Sequence, residues 1–116
     1  MECEVLFTDE FGAWWDSLTV EEQDSVDRVV GILERTGATL TGLYSSGIVT
    51  SAFPHMRELR IQHAGEPYRV LYAFDPKRRA VLLLGGIKTG DDRWYEIHVP
   101  IADRIYRKYL AEMERG

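Results

Sequence analysis

The chain has 116 residues, of which 45% are hydrophobic, and it carries 14 Lys and Arg against 19 Asp and Glu. This size and composition predict one globular domain over residues 1–116, because about two-thirds of the unfolded surface can be buried at this length. The longest apolar run is too short to span a bilayer and the acidic N-terminus lacks the features of a signal peptide, so we expect a cytoplasmic protein. Cys3 is the only cysteine, which excludes an internal disulfide and a zinc site built from thiolates alone.

The net charge of −5 is distributed unevenly along the chain. Residues 1–55 carry ten acidic side chains against Arg28 and Arg35, a net charge of −8. Residues 56–93 carry eight basic side chains against five acidic ones, a net charge of +3. A local basic surface can bind phosphate even in an acidic protein, so the charge balance does not exclude a nucleic-acid partner.

The first half of the chain predicts a strand, two helices and a loop. Alternating apolar residues predict a strand over residues 2–7. Thr8 is a suitable cap for a first helix, whose aromatic residues recur at helical spacing and predict core packing. Thr19–Glu22 matches a capping box, so a second helix is predicted from Val20 to about Arg35, with Gly37 as its stop. Residues 38–55 show no sustained period and predict a loop, in which one helical turn can form.

The second half of the chain predicts three strands and a last helix. Residues 56–88 contain three apolar, β-branched and aromatic segments, and the connections at 63–67 and 75–79 hold Gly or Pro. Short connections of this kind predict an antiparallel meander. Pro100 suits the first turn of a helix that ends near Met113. The expected class is therefore α+β: an N-terminal strand, a helical hairpin across the sheet, a three-stranded meander and a C-terminal helix.

Basic side chains within the predicted strands are the main candidates for function. Strand alternation puts Glu58 and Arg60 on one face of their strand and Arg57 on the other. A sheet face with Arg60, Arg69 and Lys88 from three neighbouring strands would bring several cations to one phosphate. Alternatively, Glu58 pairs with an arginine and the set is a structural ion-pair network. The residues alone leave both interpretations open.

Motifs of common catalytic sites are absent. The sequence has no P-loop, no dinucleotide-binding Gly motif, no His-Glu-x-x-His and no Gly-x-Ser-x-Gly. The adjacent glycines Gly85 and Gly86 predict a bulge or close packing in a strand rather than a phosphate-binding loop. The three histidines are well separated, so we expect no metal site.

A family resemblance adds to these observations. The order of elements resembles the RelE/HigB toxin superfamily, in particular its HigB-like branch related to a phage Gp49 protein. The motifs that carry the resemblance are Phe11-x-x-Trp-Trp-x-x-Leu18, Glu58-Leu-Arg60, Tyr68-Arg-Val-Leu-Tyr72 and Leu83-Leu-Gly-Gly-Ile-Lys88. The resemblance implies the toxin of a type II toxin–antitoxin pair, an mRNA endoribonuclease that cuts on the ribosome and needs no metal or cofactor. The implied partners are mRNA on the ribosome and a cognate antitoxin, expected to be a helix-turn-helix protein.

The resemblance also implies roles for individual residues. Arg60 and Arg69 would bind the scissile phosphate, Lys88 would add positive charge, and His98 would transfer a proton. The remaining basic and aromatic side chains expected to bind RNA are Arg57, Lys77, Arg78, Arg79, Arg93, Trp94 and Tyr95. Related toxins often carry a second Lys where Thr89 stands. This departure keeps an alternative open, a catalytically weak or inactive member that serves as an antitoxin-binding module.

Overall fold

The structure, a computed structural model, describes residues Met1 to Gly116. Its strands are β1 (Val5–Phe7), β2 (Ser45–Gly47), β3 (Met56–His63), β4 (Glu66–Phe74) and β5 (Ala80–Ile87), and its helices are α1 (Asp9–Asp16), α2 (Val20–Thr36) and α3 (Trp94–Arg115). The strands form one five-stranded sheet in the order β1-β5-β4-β3-β2. β1 runs parallel to β5, and the other pairs are antiparallel. The predicted α+β class and the predicted meander are confirmed. None of the three helices combines the length and the apolar character that a membrane span requires.

The helical hairpin α1–α2 covers one face of the sheet. The Thr8 hydroxyl accepts the Phe11 N–H at 3.2 Å and caps α1. Thr19 and Glu22 form both hydrogen bonds of the predicted capping box at the start of α2. The apolar stripes of the two helices pack on Tyr72 and its neighbours in the central strands, and both tryptophans of α1 join this core.

The adjacent glycines of β5 make room for two tryptophans on opposite faces of the sheet. A Cβ atom on Gly85 would lie 2.2 Å from Cε3 of Trp14, and one on Gly86 would lie 2.8 Å from Cζ2 of Trp94. Neither distance is tolerable, so only glycine fits at these two positions. The prediction of close packing is confirmed.

α3 covers the other face of the sheet and begins earlier than predicted. Trp94 starts the helix and is 2% exposed within a second core cluster. Asp91 accepts the N–H of Arg93 at 3.0 Å through Oδ1 and the N–H of Trp94 at 3.3 Å through its carbonyl. Burial of the indole therefore fixes the helix start. The placement of Pro100 in the first turn was wrong, because it lies inside the helix, where it removes one backbone hydrogen bond.

The segment predicted as a loop contains a strand. A short 3-10 turn covers Gly37–Thr39, and β2 then pairs with β3, with Ser45 opposite Leu59 and Gly47 opposite Arg57. A strand of three residues is too short to show a period in the sequence. The first strand is also shorter than predicted, since β1 covers Val5–Phe7 rather than residues 2–7.

Candidate functional site

Strand register brings the predicted cationic side chains together on the face that α3 covers. Arg60 on β3 lies directly opposite Arg69 on β4, and Arg69 lies opposite Gly86 on β5. The first turns of α3 reach this face, where the Tyr95 hydroxyl lies 3.4 Å from Nε of Arg69. The first turns of α3 therefore cover part of this face.

A buried carboxylate organises the site. Glu58 is 4% exposed, and its Oε1 accepts the Tyr95 hydroxyl at 2.6 Å and lies 3.2 Å from Nε of Arg69. Its Oε2 accepts the Ser46 hydroxyl at 2.9 Å and lies 3.7 Å from Nη2 of Arg60. β2, β3, β4 and α3 thus each contribute to one group of five side chains, which we call the Glu58 cluster. Arg60 and Arg69 therefore form the ion pairs expected of a structural network, and they are also the arginines expected to bind phosphate.

Tyr95 is held as a hydrogen-bond donor. Burial raises the pKa of its phenol, and the hydrogen bond to Glu58 raises it further, although Arg69 acts in the opposite direction. The hydroxyl therefore stays protonated at neutral pH. Nζ of Lys88 lies 5.7 Å from the centre of the Tyr95 ring, a cation–π geometry that ties Lys88 to the cluster.

The site retains positive charge that no protein carboxylate neutralises. Arg60 and Arg69 share the single carboxylate of Glu58, and Lys88, beside the Tyr95 ring, forms no ion pair. Nη1 of Arg69 donates to the Tyr68 carbonyl at 3.0 Å and Nε faces Glu58, whereas Nη2 makes no hydrogen bond within the protein. The Arg60 side chain is 44% exposed. The surplus charge and the free guanidinium edge suit an anion with several oxygen atoms, such as a phosphate.

A groove of about 610 Å³ borders the two arginines along the edge of β3. Arg28 of α2 and Tyr44, just before β2, line it together with Arg60 and Arg69. Three arginines beside a partly exposed aromatic ring suit a nucleic-acid backbone whose bases stack. Arg28, Tyr44 and Ser46 were not singled out from the sequence, because Arg28 lies in the acidic half and the other two lie in the predicted loop.

Arg57 lies away from the Glu58 cluster. It projects to the helical-hairpin side of β3, where its guanidinium donates to the Ser45 hydroxyl and to the Leu40 carbonyl, both at 3.1 Å. These bonds tie the segment before β2 to the sheet. We therefore assign Arg57 to the fold and leave it out of the proposed RNA contacts.

The basic turn between β4 and β5 lies at the opposite end of the sheet. Phe74, at the end of β4, lies five positions after Arg69, which corresponds to roughly 17 Å at about 3.4 Å per residue. Arg79 pairs with Asp75 at 2.8 Å and donates to the Tyr109 hydroxyl at 3.2 Å, so it stabilises the turn. Its neighbours Lys77 and Arg78 are exposed and pair with no carboxylate.

The start of α3 holds the other predicted residues. Trp94 is buried against Gly86, so a base cannot stack on it, and Arg93 pairs with Glu96 at the surface. The His98 ring stacks on Trp94 with centroids 4.3 Å apart, and its Nδ1–H donates to the Trp94 carbonyl at 2.8 Å. This bond fixes the tautomer and leaves Nε2 as an acceptor. No hydrogen bond joins His98 to the Glu58 cluster, and no group of three or more His, Cys, Asp or Glu is placed to hold a metal ion.

Fold and site together define a small α+β protein with a cationic, phosphate-compatible face. The chain belongs to the family described as Phage derived protein Gp49-like (DUF891), whose model matches residues 13–107. It is 40% identical over 104 residues to "Putative toxin HigB3" of Mycobacterium tuberculosis (strain ATCC 25618 / H37Rv), and the match covers 89% of this chain and 90% of that protein. It is 33% identical over 104 residues to "Putative toxin HigB2" of the same organism, covering 88% of this chain and 52% of that protein. The resemblance to the HigB-like branch is confirmed.

Proposed function

We propose that this protein is the toxin of a type II toxin–antitoxin pair and inhibits translation as a ribosome-dependent mRNA endoribonuclease. Membership of the Gp49-like family and the likeness to two proteins named as HigB toxins support the toxin assignment. The observation that carries the nuclease assignment is the convergence of Arg60, Arg69 and the Tyr95 hydroxyl around Glu58.

The proposed reaction is attack of a ribose 2′-hydroxyl on the adjacent phosphate. A bond forms between phosphorus and O2′ while the bond to O5′ breaks. The 2′-hydroxyl loses a proton and the 5′-oxygen gains one, so the products are a 2′,3′-cyclic phosphate and a 5′-hydroxyl. Negative charge accumulates on the phosphorane, and donors fixed at that position accelerate the reaction without a metal ion.

Arg69 is the residue that we assign to the scissile phosphate. Its planar guanidinium can donate two hydrogen bonds to phosphate oxygens, and Glu58 restricts its orientation before RNA arrives. Arg60 and Lys88 add positive charge to the developing phosphorane, and the protonated Tyr95 hydroxyl is a further donor. In this proposal the negative charge of the phosphate takes over part of the pairing with Arg69 that Glu58 provides in the free protein.

His98 is the candidate for proton transfer. Its Nδ1–H is bound to the Trp94 carbonyl, so the free Nε2 can accept a proton and, once protonated, can return it to the leaving oxygen. The support for this role is indirect: His98 stacks on Trp94, and Trp94 packs on Gly86, the residue opposite Arg69.

The groove beside Arg60 gives the RNA a path away from the cut. Arg28 can follow the backbone and Tyr44 can stack on a base. Lys77 and Arg78 are proposed to contact RNA at the far end of the sheet, where the mRNA or the ribosome itself offers phosphates.

A second candidate function is an antitoxin-binding module with weak or no catalysis. Thr89, which stands where related toxins often carry a second Lys, has its hydroxyl hydrogen-bonded to Glu66 and offers no charge to RNA. On the helical-hairpin side, an apolar pocket of about 320 Å³ lies beside Phe7, which is 68% exposed. A helix-turn-helix antitoxin is the partner expected in both candidate functions.

Induced expression in bacteria, with primer-extension mapping of cellular mRNA, separates the two candidates. We expect cuts within translated frames for the parent and none for Arg69→Ala. Arg104→Ala removes an exposed arginine of α3 that forms no ion pair and serves as the matched control. Folded parent protein that causes neither cuts nor a growth defect would contradict the nuclease and favour the binding module.

A further inference from the structure

A pocket of about 230 Å³ opens beside Tyr95 on the side of the first turns of α3. Thr50, Glu96, Val99 and Pro100 form the rest of its lining. Pockets for drug-sized ligands typically measure about 300–1,000 Å³, so this one suits a single flat ring system. Tyr95 joins it to the Glu58 cluster, because the hydroxyl of the same residue donates to Glu58.

Pro100 provides this pocket with a hydrogen-bond acceptor. Proline has no N–H, so the carbonyl of Glu96, four residues earlier, cannot receive its normal helical hydrogen bond. The Glu96 carboxylate pairs with Nε of Arg93 at 3.1 Å, so it is engaged at the surface. The polar groups available to a ligand are therefore the Glu96 carbonyl and the Thr50 hydroxyl.

A buried carboxylate fixes the wall that carries Thr50. Asp103 of α3 is 8% exposed, and its two oxygens accept the Ser51 hydroxyl at 2.5 Å and the Ala52 N–H at 2.9 Å. The Ser51 oxygen in turn accepts the Phe53 N–H at 3.0 Å. Because a buried carboxylate needs such partners, these bonds lock the segment after Thr50 against α3. The pocket is therefore formed before any ligand binds.

We propose that this pocket binds the nucleobase next to the scissile phosphate and prefers a base with an exocyclic amino group. The proposal rests on the proposed function, since it takes Arg69 as the phosphate site. Val99, Pro100 and the Tyr95 ring offer apolar surface to the ring of the base. The amino group of adenine, cytosine or guanine donates to the Glu96 carbonyl. Uracil has a carbonyl oxygen where cytosine has its amino group. In the same orientation that oxygen would face the Glu96 carbonyl oxygen, and two acceptors cannot form a hydrogen bond.

Two exposed positions allow the pocket to be altered without disturbing the core. Pro100→Ala restores the helical N–H, which then occupies the Glu96 carbonyl, and Thr50→Phe fills the cavity. Pro76→Ala, in the exposed turn between β4 and β5, is the matched control because it changes a proline at the far end of the sheet.

The test is an NMR titration of the whole protein with inorganic phosphate, and then with adenosine, cytidine and uridine 5′-monophosphates. We expect phosphate to shift the signals of Arg69 and Tyr95. The adenosine and cytidine nucleotides should also shift Thr50 and Val99, and should bind about threefold to tenfold more tightly than the uridine nucleotide, the effect of one hydrogen bond. Pro100→Ala and Thr50→Phe should abolish this preference and keep the phosphate response, whereas Pro76→Ala should leave both unchanged.

The two ways in which the proposal can fail give different results. Phosphate shifts at Arg69 without any nucleotide preference at Thr50 would overturn the base pocket and leave the phosphate site intact. No phosphate response at Arg69 would overturn the proposed function and the base pocket together. Mapped cuts provide the second measurement. Pro100→Ala should make the frequencies of the bases beside the cuts more nearly equal, and an unchanged base preference would also overturn the proposal.

Discussion

Replacing Arg69 by Ala tests whether this arginine serves RNA cleavage or only the fold. The change removes the guanidinium that lies 3.2 Å from Oε1 of Glu58, a carboxylate that is 4% exposed. Breaking a buried ion pair on one side typically costs about 3–5 kcal/mol of unfolding free energy. Tyr95, Ser46 and the more distant Arg60 still contact Glu58, so we expect a smaller loss of about 1–3 kcal/mol.

A second substitution in the same chain separates stability from activity. Glu58→Gln removes the charge that Arg69 neutralised and keeps the size of the side chain and one acceptor oxygen for Tyr95. The double variant should therefore regain most of the unfolding free energy that Arg69→Ala loses. Urea denaturation followed by circular dichroism measures this recovery, and the two single variants complete the cycle.

Cleavage should not recover with stability. Loss of one donor aimed at a transition state typically lowers the rate by about 10²–10³-fold, so both Arg69→Ala and the double variant should cut mRNA at least about 100-fold more slowly than the parent. Primer extension after a fixed induction time provides the assay, with Arg104→Ala as the unaffected control. Restored cleavage in the double variant would refute the catalytic role and leave Arg69 as a structural partner of Glu58.

Three further predictions concern the fold. Gly85→Ala should lower the unfolding free energy by about 1–3 kcal/mol, because its Cβ would meet the Trp14 ring at 2.2 Å. The control is Gly47→Ala, whose Cβ would make only ordinary contacts, and its unfolding free energy in urea denaturation should be close to that of the parent. Burial acts to raise the pKa of Asp75, but hydrogen bonds from Arg79 and Tyr109 outweigh it and lower this pKa. The resulting stabilisation is complete above the unfolded value of about 3.9 and is lost as the pH falls through the folded pKa, so stability should fall more steeply below pH ~4 in the parent than in Asp75→Asn. Burial and the hydrogen bond to Asp75 raise the pKa of Tyr109 to about 12, so Tyr109→Phe should remove one phenol that ionises near that pH in an absorbance titration. If Tyr109→Phe instead removed a phenol that ionises near pH ~10, the usual range of tyrosine, this environment of Tyr109 would be contradicted.

The sequence by itself determined the elements whose stabilising contacts are local. The Thr19–Glu22 capping box, the helical spacing of the α1 aromatics and the strand alternation over residues 56–87 join neighbours in the chain, so their pattern is visible without a fold. The motifs around Arg60 and Arg69 also identified the correct family. Strand alternation correctly placed Glu58 and Arg60 on one face and Arg57 on the other.

Only the tertiary structure decided how the site is built. Ser46, Glu58 and Tyr95 come from three distant segments, and a strand of three residues or a helix started by a buried tryptophan leaves no period to detect. Charge in the sequence likewise grouped Lys77 with Arg69, whereas the extended strand β4 separates Arg69 from the turn that holds Lys77. The assembly of the site depends on pairing between residues that are far apart in the chain. Such pairing is set by which surfaces can be buried together, and the order of residues along the chain does not reveal it.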